Sequence, residues 1–137
     1  MKTVELLFLR TREQFPLISA AADRIQSKRW DFRPDVVDNH AWFEALAGAL
    51  NANMCEHVPY AVHEPLFHFM ASAYAQGSDA VRSCIDTAFL ENLFWQIASV
   101  ICIPYWDPLP VQLQQRYLAF HGIEPGACAR SSGAGQA

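Results

Sequence analysis

Residues 85–101, IDTAFLENLFWQIASVI, carry the strongest secondary-structure signal in this sequence. Apolar residues recur in it every three or four positions, which is the spacing of an α-helix. They are Ile85, Phe89, Leu90, Leu93, Phe94, Ile97, Val100 and Ile101. Because they cover more than one side of a helix, the pattern predicts a central helix over about residues 79–101. Burial is expected to be greatest at Phe89, Leu93, Ile97 and Val100.

Just upstream, Gly77 marks the end of one helix and Ser78 marks the start of the next. The helix before this signal is expected to begin near His63-Glu64-Pro65 and to end at Gly77. Its core face is formed by Leu66, Phe67, Met70, Ala73 and Tyr74. Since the link is so short, the two helices should fold back on each other as an antiparallel hairpin.

The remaining apolar segments are also separated by caps and prolines. They predict helices over about 3–13, 16–28, 39–52 and 108–121, the last preceded by Asp107 as a cap. Val4 to Leu9 could instead form a short strand, although no partner strand is visible. The predicted fold is all-α: a single-domain antiparallel bundle of five or six helices over residues 1–124. Residues 125–137 are expected to form a disordered tail.

The composition is that of an ordinary folded domain, with 137 residues, 52% hydrophobic and 18% charged. The apolar stretch from Val4 to Leu9 is too short for a signal-peptide core, and residues 89–106 contain too many polar groups for a membrane span. The four cysteines form no CxxC pair. They are expected to be free, mostly buried thiols, which indicates a reducing compartment and the cytoplasm.

Potential metal ligands are densest in CEHVPYAVHEPLFH, residues 55–68, which contains Cys55, His57, His63 and His68. His63 and His68 are five residues apart, so on a helix they lie about 140° apart around the axis. The HExxH motif of zinc proteases instead places its two histidines on one face. We therefore expect no metal and no cofactor. A helical enzyme, or a metal- or ligand-binding bundle that uses this cluster, is the alternative.

Nucleophile motifs are absent from the sequence, which has no GxSxG and no glycine-rich phosphate loop. Cys84 and Cys102 fall in an apolar segment, where a buried thiol is usually unreactive. Glu91 lies within the most apolar segment and is either partly buried or part of a narrow hydrated strip beside Asn92. No second carboxylate is placed to form an acid–base pair with it, so the sequence predicts a protein without enzymatic activity.

Charge is distributed unevenly along the chain. Residues 1–30 carry a net charge of +3, residues 31–107 a net charge of −8, and the remainder +1. A large acidic surface repels nucleic acid and anionic membranes and favours a basic protein partner, although acidic side chains also serve simply to solvate helix surfaces. The candidate partner-binding carboxylates are Asp35, Asp38, Glu44, Glu56, Asp79 and Asp86.

Tryptophan and tyrosine are the residue types most enriched in binding hot spots. Trp30 and Trp106, which lie near predicted helix ends, are the candidate exposed anchors for a partner, together with Tyr105. Trp42 and Trp95 sit at helical spacing with other apolar residues and are expected in the core.

Three segments together resemble a known group of proteins. They are QFP at 14–16, CIDTAFLENLF at 84–94 and PLPVQLQQRYLAFHG at 108–122. They resemble small helical bacterial domains found among immunity proteins of polymorphic-toxin and type VI secretion systems, with Glu91 the one residue that aligns individually. The resemblance implies a cytoplasmic antidote that binds and blocks one cognate toxin or effector domain. A secretion chaperone or adaptor is a further alternative, and homodimerisation is left open.

Overall fold

Local capping sets the start of the first three helices in the computed structural model, which describes residues 1–129. Helix α1 is Val4–Gln14, and the Thr3 hydroxyl accepts a hydrogen bond from the Leu6 amide at 3.1 Å. Helix α2 is Pro16–Ser27, with its proline in the first turn, and α3 is Asn39–Cys55, capped by the Asp38 carboxylate. These helices confirm the sequence prediction, and the strand alternative for residues 4–9 is wrong.

The hairpin around Gly77 and Ser78 is also present. Helix α4, Tyr60–Gln76, begins three residues earlier than predicted, because Pro59 takes the N-cap position and Pro65 is accommodated inside the helix. Gly77 ends α4, and the Ser78 hydroxyl caps α5, Asp79–Cys84. Helix α5 continues directly into a π-helical segment, Ile85–Leu90.

The predicted continuous helix over 79–101 is wrong, because the chain leaves helical geometry at residues 93–98. Phe94 and Gln96 adopt positive φ angles of 68° and 57°, which non-glycine residues in a helix do not. A separate helix α6, Ser99–Trp106, follows the turn, and α7 is Val111–His121. Asp107 lies at the C-terminal end of α6 and does not cap α7, whereas Gly122 ends α7 in the left-handed conformation as the sequence indicates.

The described part of the chain is therefore all-helical, with seven α-helices and one π-helical segment instead of five or six helices, and with no strand. Helix α3 packs against α1, α2, α6 and the π-helical segment, so it shares the centre of the fold with the predicted central segment. Within residues 1–129, no helix is long and apolar enough to cross a membrane. The disordered tail was predicted over residues 125–137, and residues 130–137 of this range lie outside the part of the chain that the structure describes.

Burial follows the sequence pattern up to the turn and departs from it afterwards. Phe89 and Leu93 are fully buried, as predicted. Ile97 is only partly buried, and the prediction for Val100 is wrong because its side chain is 65% exposed. The turn at 93–98 changes the register of the chain, so residues beyond it no longer lie on the face that the helical spacing assigns to them.

Two glycines should respond in opposite ways to replacement by alanine. A Cβ atom on Gly77 would lie 2.4 Å from the Ala73 carbonyl oxygen and 2.7 Å from Val81 Cγ1, whereas on Gly48 the nearest atom is Ile25 Cδ1 at 3.8 Å. We expect Gly77→Ala to lower the free energy of unfolding by about 1–3 kcal/mol. Gly48→Ala, in the interior of α3, should raise it by up to about 1 kcal/mol. Urea unfolding measures both, and equal effects would contradict this assignment of the two sites.

Candidate functional site

A surface groove of about 230 Å³ is formed by α2, α3 and the turn at residues 93–98. We call it the Trp95 groove. It is lined by Ile25, Arg29, Glu44, Ala45, Gly48, Asn51, Asn92 and Trp95. Glycine at position 48 leaves the α3 wall of the groove without a side chain, so the groove is open where a Cβ atom would otherwise lie.

Two tryptophans are exposed in this region of the surface. Trp95 lies on the turn and is 60% exposed, while Trp30 follows Arg29 and is 92% exposed. Tryptophan carries more apolar surface than most side chains and buries it when a protein partner binds. An exposed tryptophan on the wall of a groove, such as Trp95, is typical of a protein-binding surface.

An ion-pair cluster holds the segment beside the groove against α3. Arg29 donates from Nη1 to Glu44 Oε2 at 2.9 Å and lies 3.4 Å from Asp31 through Nε. The hydrogen bond to Glu44 is the main reason why the pKa of Arg29 is raised. The charge of Glu44 is therefore compensated within the protein, and the cluster fixes the position of the backbone from which Trp30 projects.

A smaller cavity of about 70 Å³ adjoins the Trp95 groove and shares Arg29 with it. Asp38 lines this cavity, and its carbonyl oxygen accepts a hydrogen bond from Gln26 Nε2 at 3.2 Å. Asp35 is exposed in the same connection between α2 and α3. The structure thus brings four of the predicted partner-binding residues to one region: Trp30, Asp35, Asp38 and Glu44.

The other predicted carboxylates do not join this region. Glu56 is exposed at the opposite end of α3 from Asp38, roughly 27 Å away along the helix axis. Asp79 is exposed at the start of α5. The side chain of Asp86 is only 17% exposed, because it accepts two hydrogen bonds from Arg116, at 3.1 and 3.0 Å, and one from the Tyr74 hydroxyl. The predicted carboxylates therefore do not form a single continuous acidic face.

The prediction that Trp106 is an exposed anchor is wrong. Its side chain is 4% exposed and packs edge-on against Phe94 and Tyr117, and its neighbour Tyr105 is also buried. Trp95, which the helical spacing places in the core, takes the exposed role instead. Sequence reasoning missed it because no glycine or proline marks the turn on which it lies.

The four candidate metal ligands are not assembled into one site. His63 is buried and pairs through Nε2 with Asn53 Oδ1 at 2.8 Å, while His68 is exposed and lies 3.4 Å from Glu64. Cys55 and His57 are exposed. Among residues 1–129, no group of three or more histidine, cysteine or acidic side chains is arranged to hold a metal ion.

His63 should make the stability of the protein depend on pH. Burial lowers its pKa from the ordinary histidine value of 6.5. Well above pH 6.5, the imidazole is neutral in both the folded and the unfolded chain. As the pH falls below it, the unfolded chain gains the proton first, so the free energy of unfolding decreases. Urea unfolding from pH 8 to pH 5 should show a weaker decrease for His63→Gln than for the wild type. Replacement of the exposed His57 by glutamine is the control, and an identical slope in all three proteins would contradict the prediction.

The thiols and Glu91 offer little chemistry. All four cysteines are free, but Cys55 and Cys128 are exposed, so only half of them are the buried thiols expected. Burial raises the pKa of Cys84 to about 12 and that of Cys102 to about 11, which keeps both protonated and unreactive. Glu91 is exposed beside the partly buried Asn92, as the hydrated-strip reading of this segment requires.

Comparison with known proteins gives one match. No curated protein and no solved structure shows significant similarity to the chain. A family model described as a domain of unknown function, DUF7674, matches residues 8–122, a range that extends from α1 to the end of α7 and includes every residue that lines the Trp95 groove. Because this match covers most of its length, the chain belongs to the DUF7674 family.

Proposed function

We propose that the protein is an immunity-type antidote that binds a cognate bacterial toxin or effector domain through the Trp95 groove and neutralises it by direct contact. The observation that supports this most is the exposure of Trp95 on the wall of the groove, together with the exposure of Trp30, which follows the groove residue Arg29 in the sequence. The resemblance to helical immunity proteins supplies the biological setting, in which the protein acts in the cytoplasm without chemistry of its own.

The region around the groove has the anatomy of a protein interface. Exposed aromatic side chains provide the apolar contact, and interfaces commonly place such anchors inside a polar rim. Asp35 and Asp38, which we assign to this rim, are exposed in the connection between α2 and α3, and Asp38 lines the cavity that adjoins the groove. Both side chains are exposed, although that of Asp38 also caps α3, so their charges can attract a basic partner and speed its association.

A change of charge at Asp35 and Asp38, compared with an equal change elsewhere on the surface, tests this proposal. We expect Asp35→Lys combined with Asp38→Asn to slow association by about tenfold at low salt, and the effect should shrink as salt increases. Asparagine at position 38 preserves the cap of α3. The matched control, Glu56→Lys combined with Asp79→Asn, makes the same change in net charge far from the groove and should leave association nearly unchanged.

The measurement is association and dissociation kinetics with the product of the gene next to its own, across salt concentrations. A second variant, Gly48→Met, projects a side chain into the groove at a position where a Cβ atom makes only an ordinary van der Waals contact, 3.8 Å from Ile25 Cδ1. It should weaken binding while the protein stays folded. If both variants bind as the wild type does, the Trp95 groove is not the interface.

An effector chaperone or adaptor would use the same surface, so binding alone does not separate it from an antidote. The activity of the bound partner does. An antidote abolishes the toxicity of its partner in cells and in a purified complex, whereas a chaperone leaves the released partner active and improves its yield or export.

A further inference from the structure

The turn at residues 93–98 interrupts a sequence that contains no local reason to stop a helix. No glycine or proline occurs between Gly77 and Pro104, and the apolar residues on both sides keep helical spacing. Phe94 and Gln96 nevertheless adopt left-handed conformations, which cost a non-glycine residue on the order of 1 kcal/mol each. Contacts from elsewhere in the chain must therefore stabilise the turn over the helix.

Side chains from two other helices replace the helical hydrogen bonds that the turn loses. In an uninterrupted helix, the Phe94 amide would donate to the Leu90 carbonyl. Here the Phe94 amide donates to Asn51 Oδ1 at 2.8 Å, and the Leu90 carbonyl accepts from His121 Nε2 at 3.2 Å. The Asn92 carbonyl, which would accept from residue 96 in a helix, accepts instead from Asn51 Nδ2 at 2.9 Å.

The side-chain amide of Asn51 contacts two backbone groups at the turn. It accepts from the Phe94 amide, and it donates to the Asn92 carbonyl, which also accepts from the Trp95 amide at 3.2 Å. Asn51 is buried in α3 and lies 41 and 43 residues away from its two partners in the sequence. The turn that it holds directs Phe94 into the core against Trp106 and Tyr117, and leaves Trp95 exposed on the wall of the groove.

We propose that Asn51 is a positioning residue that selects the turn over a continuous helix at residues 93–98, and thereby presents Trp95 to the partner. The part concerning the turn stands on the hydrogen bonds alone. The part concerning presentation rests on the proposed function. Because the two parts have separate readouts, one can fail without the other.

Asn51→Asp distinguishes a positioning role from a purely structural one, because only the positioning role predicts a turn that depends on pH. An ionised aspartate can accept from the Phe94 amide, but it cannot donate to the Asn92 carbonyl and repels it. A protonated aspartate can do both, like asparagine. The buried carboxyl should have a pKa above the ordinary aspartate value of about 3.9. Backbone chemical shifts of residues 93–98 should therefore depart from the wild-type values at pH 8 and return to them as the pH falls.

Other titratable groups near Asn51 require a control. Arg29 and Glu44 share the groove with it, and His121 holds the other side of the turn. The wild type is therefore followed over the same pH range, and only a pH dependence confined to Asn51→Asp supports the proposal. If the shifts of residues 93–98 in Asn51→Asp match those of the wild type at every pH, Asn51 does not select the turn.

Substitutions at Gln96 shift the equilibrium between the turn and a continuous helix without changing Asn51. It is exposed and left-handed, so Gln96→Gly removes the strain at position 96 and disfavours the helix, whereas Gln96→Ala favours the helix. Starting from Asn51→Leu, alanine at position 96 should raise the helical content of residues 93–98, and glycine should lower it. An unchanged turn in the Asn51→Leu, Gln96→Ala double variant overturns the proposal even if Asn51→Asp is too unstable to study.

Binding to the neighbouring gene product separates the two parts. For Asn51→Asp, we expect at least tenfold weaker binding at pH 8 and recovery to within about threefold of the wild type when the turn returns. If the turn is lost while binding is unchanged, Asn51 selects the turn but Trp95 is not presented to this partner, so the presentation part is wrong. If Gly48→Met weakens binding while Asn51→Asp does not, the groove is the interface and the presentation part of the proposal is wrong.

Discussion

Replacement of Trp106 by alanine should lower the free energy of unfolding by about 3–5 kcal/mol, the range found when a large buried aromatic side chain is removed from a core. The indole lies in a cluster with Phe94 and Tyr117, with ring centroids 6.1 and 5.2 Å away, and almost none of it is exposed. Alanine would leave a cavity between α6, α7 and the turn at residues 93–98. Chemical denaturation followed by circular dichroism measures the loss.

Trp30→Ala is the matched control for that experiment, because it removes the same side chain from an almost fully exposed position. We expect its free energy of unfolding to stay within about 0.5 kcal/mol of the wild-type value. If Trp106→Ala were as stable as Trp30→Ala, the aromatic cluster between α6 and α7 would not be packed as the structure has it.

Several helix boundaries were predictable because a capping residue beside them determines them. Thr3, Asp38 and Ser78 each accept a hydrogen bond from an amide three residues later, and Gly122 ends α7 in a left-handed conformation. Such signals are contained in four or five consecutive residues, so they can be read from the sequence. Asp107 shows the limit of this reasoning, because the same residue type instead ends the preceding helix.

The turn at residues 93–98 could not be predicted for the opposite reason. The residue that stabilises it, Asn51, lies more than 40 positions away, and His121 lies 31 positions from the carbonyl that it binds. Helical periodicity describes residues 85–101 correctly as an apolar segment but contains no information about these partners. Every error that concerns Trp95, Val100 and α6 follows from that one missed interruption.

The candidate site was predictable only in part, because net charge does not reveal how charges pair. Glu44 and Asp86 both belong to the acidic middle of the sequence, but Arg29 and Arg116 compensate them from 15 and 30 residues away. Asp35 and Asp38 lie in an exposed connection, where a carboxylate stays available to a partner. In the proposed interface, the acidic segment would therefore contribute only these two carboxylates.

Trp95→Ala should weaken binding to the partner, which is the effect that the sequence analysis predicts for loss of Trp106. Since the Trp95 side chain is largely exposed, its removal should change the free energy of unfolding by no more than about 0.5 kcal/mol. In a complex with the neighbouring gene product, loss of a hot-spot tryptophan typically costs about 2 kcal/mol or more, which corresponds to roughly 30-fold faster dissociation. Association should change little, because the indole carries no charge to steer the partner.

Trp30→Ala and Glu56→Ala complete this comparison, as a second aromatic residue of the same region and an exposed residue at the far end of α3. Surface plasmon resonance should place Trp95→Ala and Trp30→Ala among the fast-dissociating variants and leave Glu56→Ala with wild-type rates. Protection of cells against the partner should follow the same order, because an antidote works only while it stays bound. Wild-type dissociation and full protection in a folded Trp95→Ala, Trp30→Ala double variant would show that the partner binds a different surface, since two exposed tryptophans cannot be removed from the centre of an interface without accelerating its dissociation.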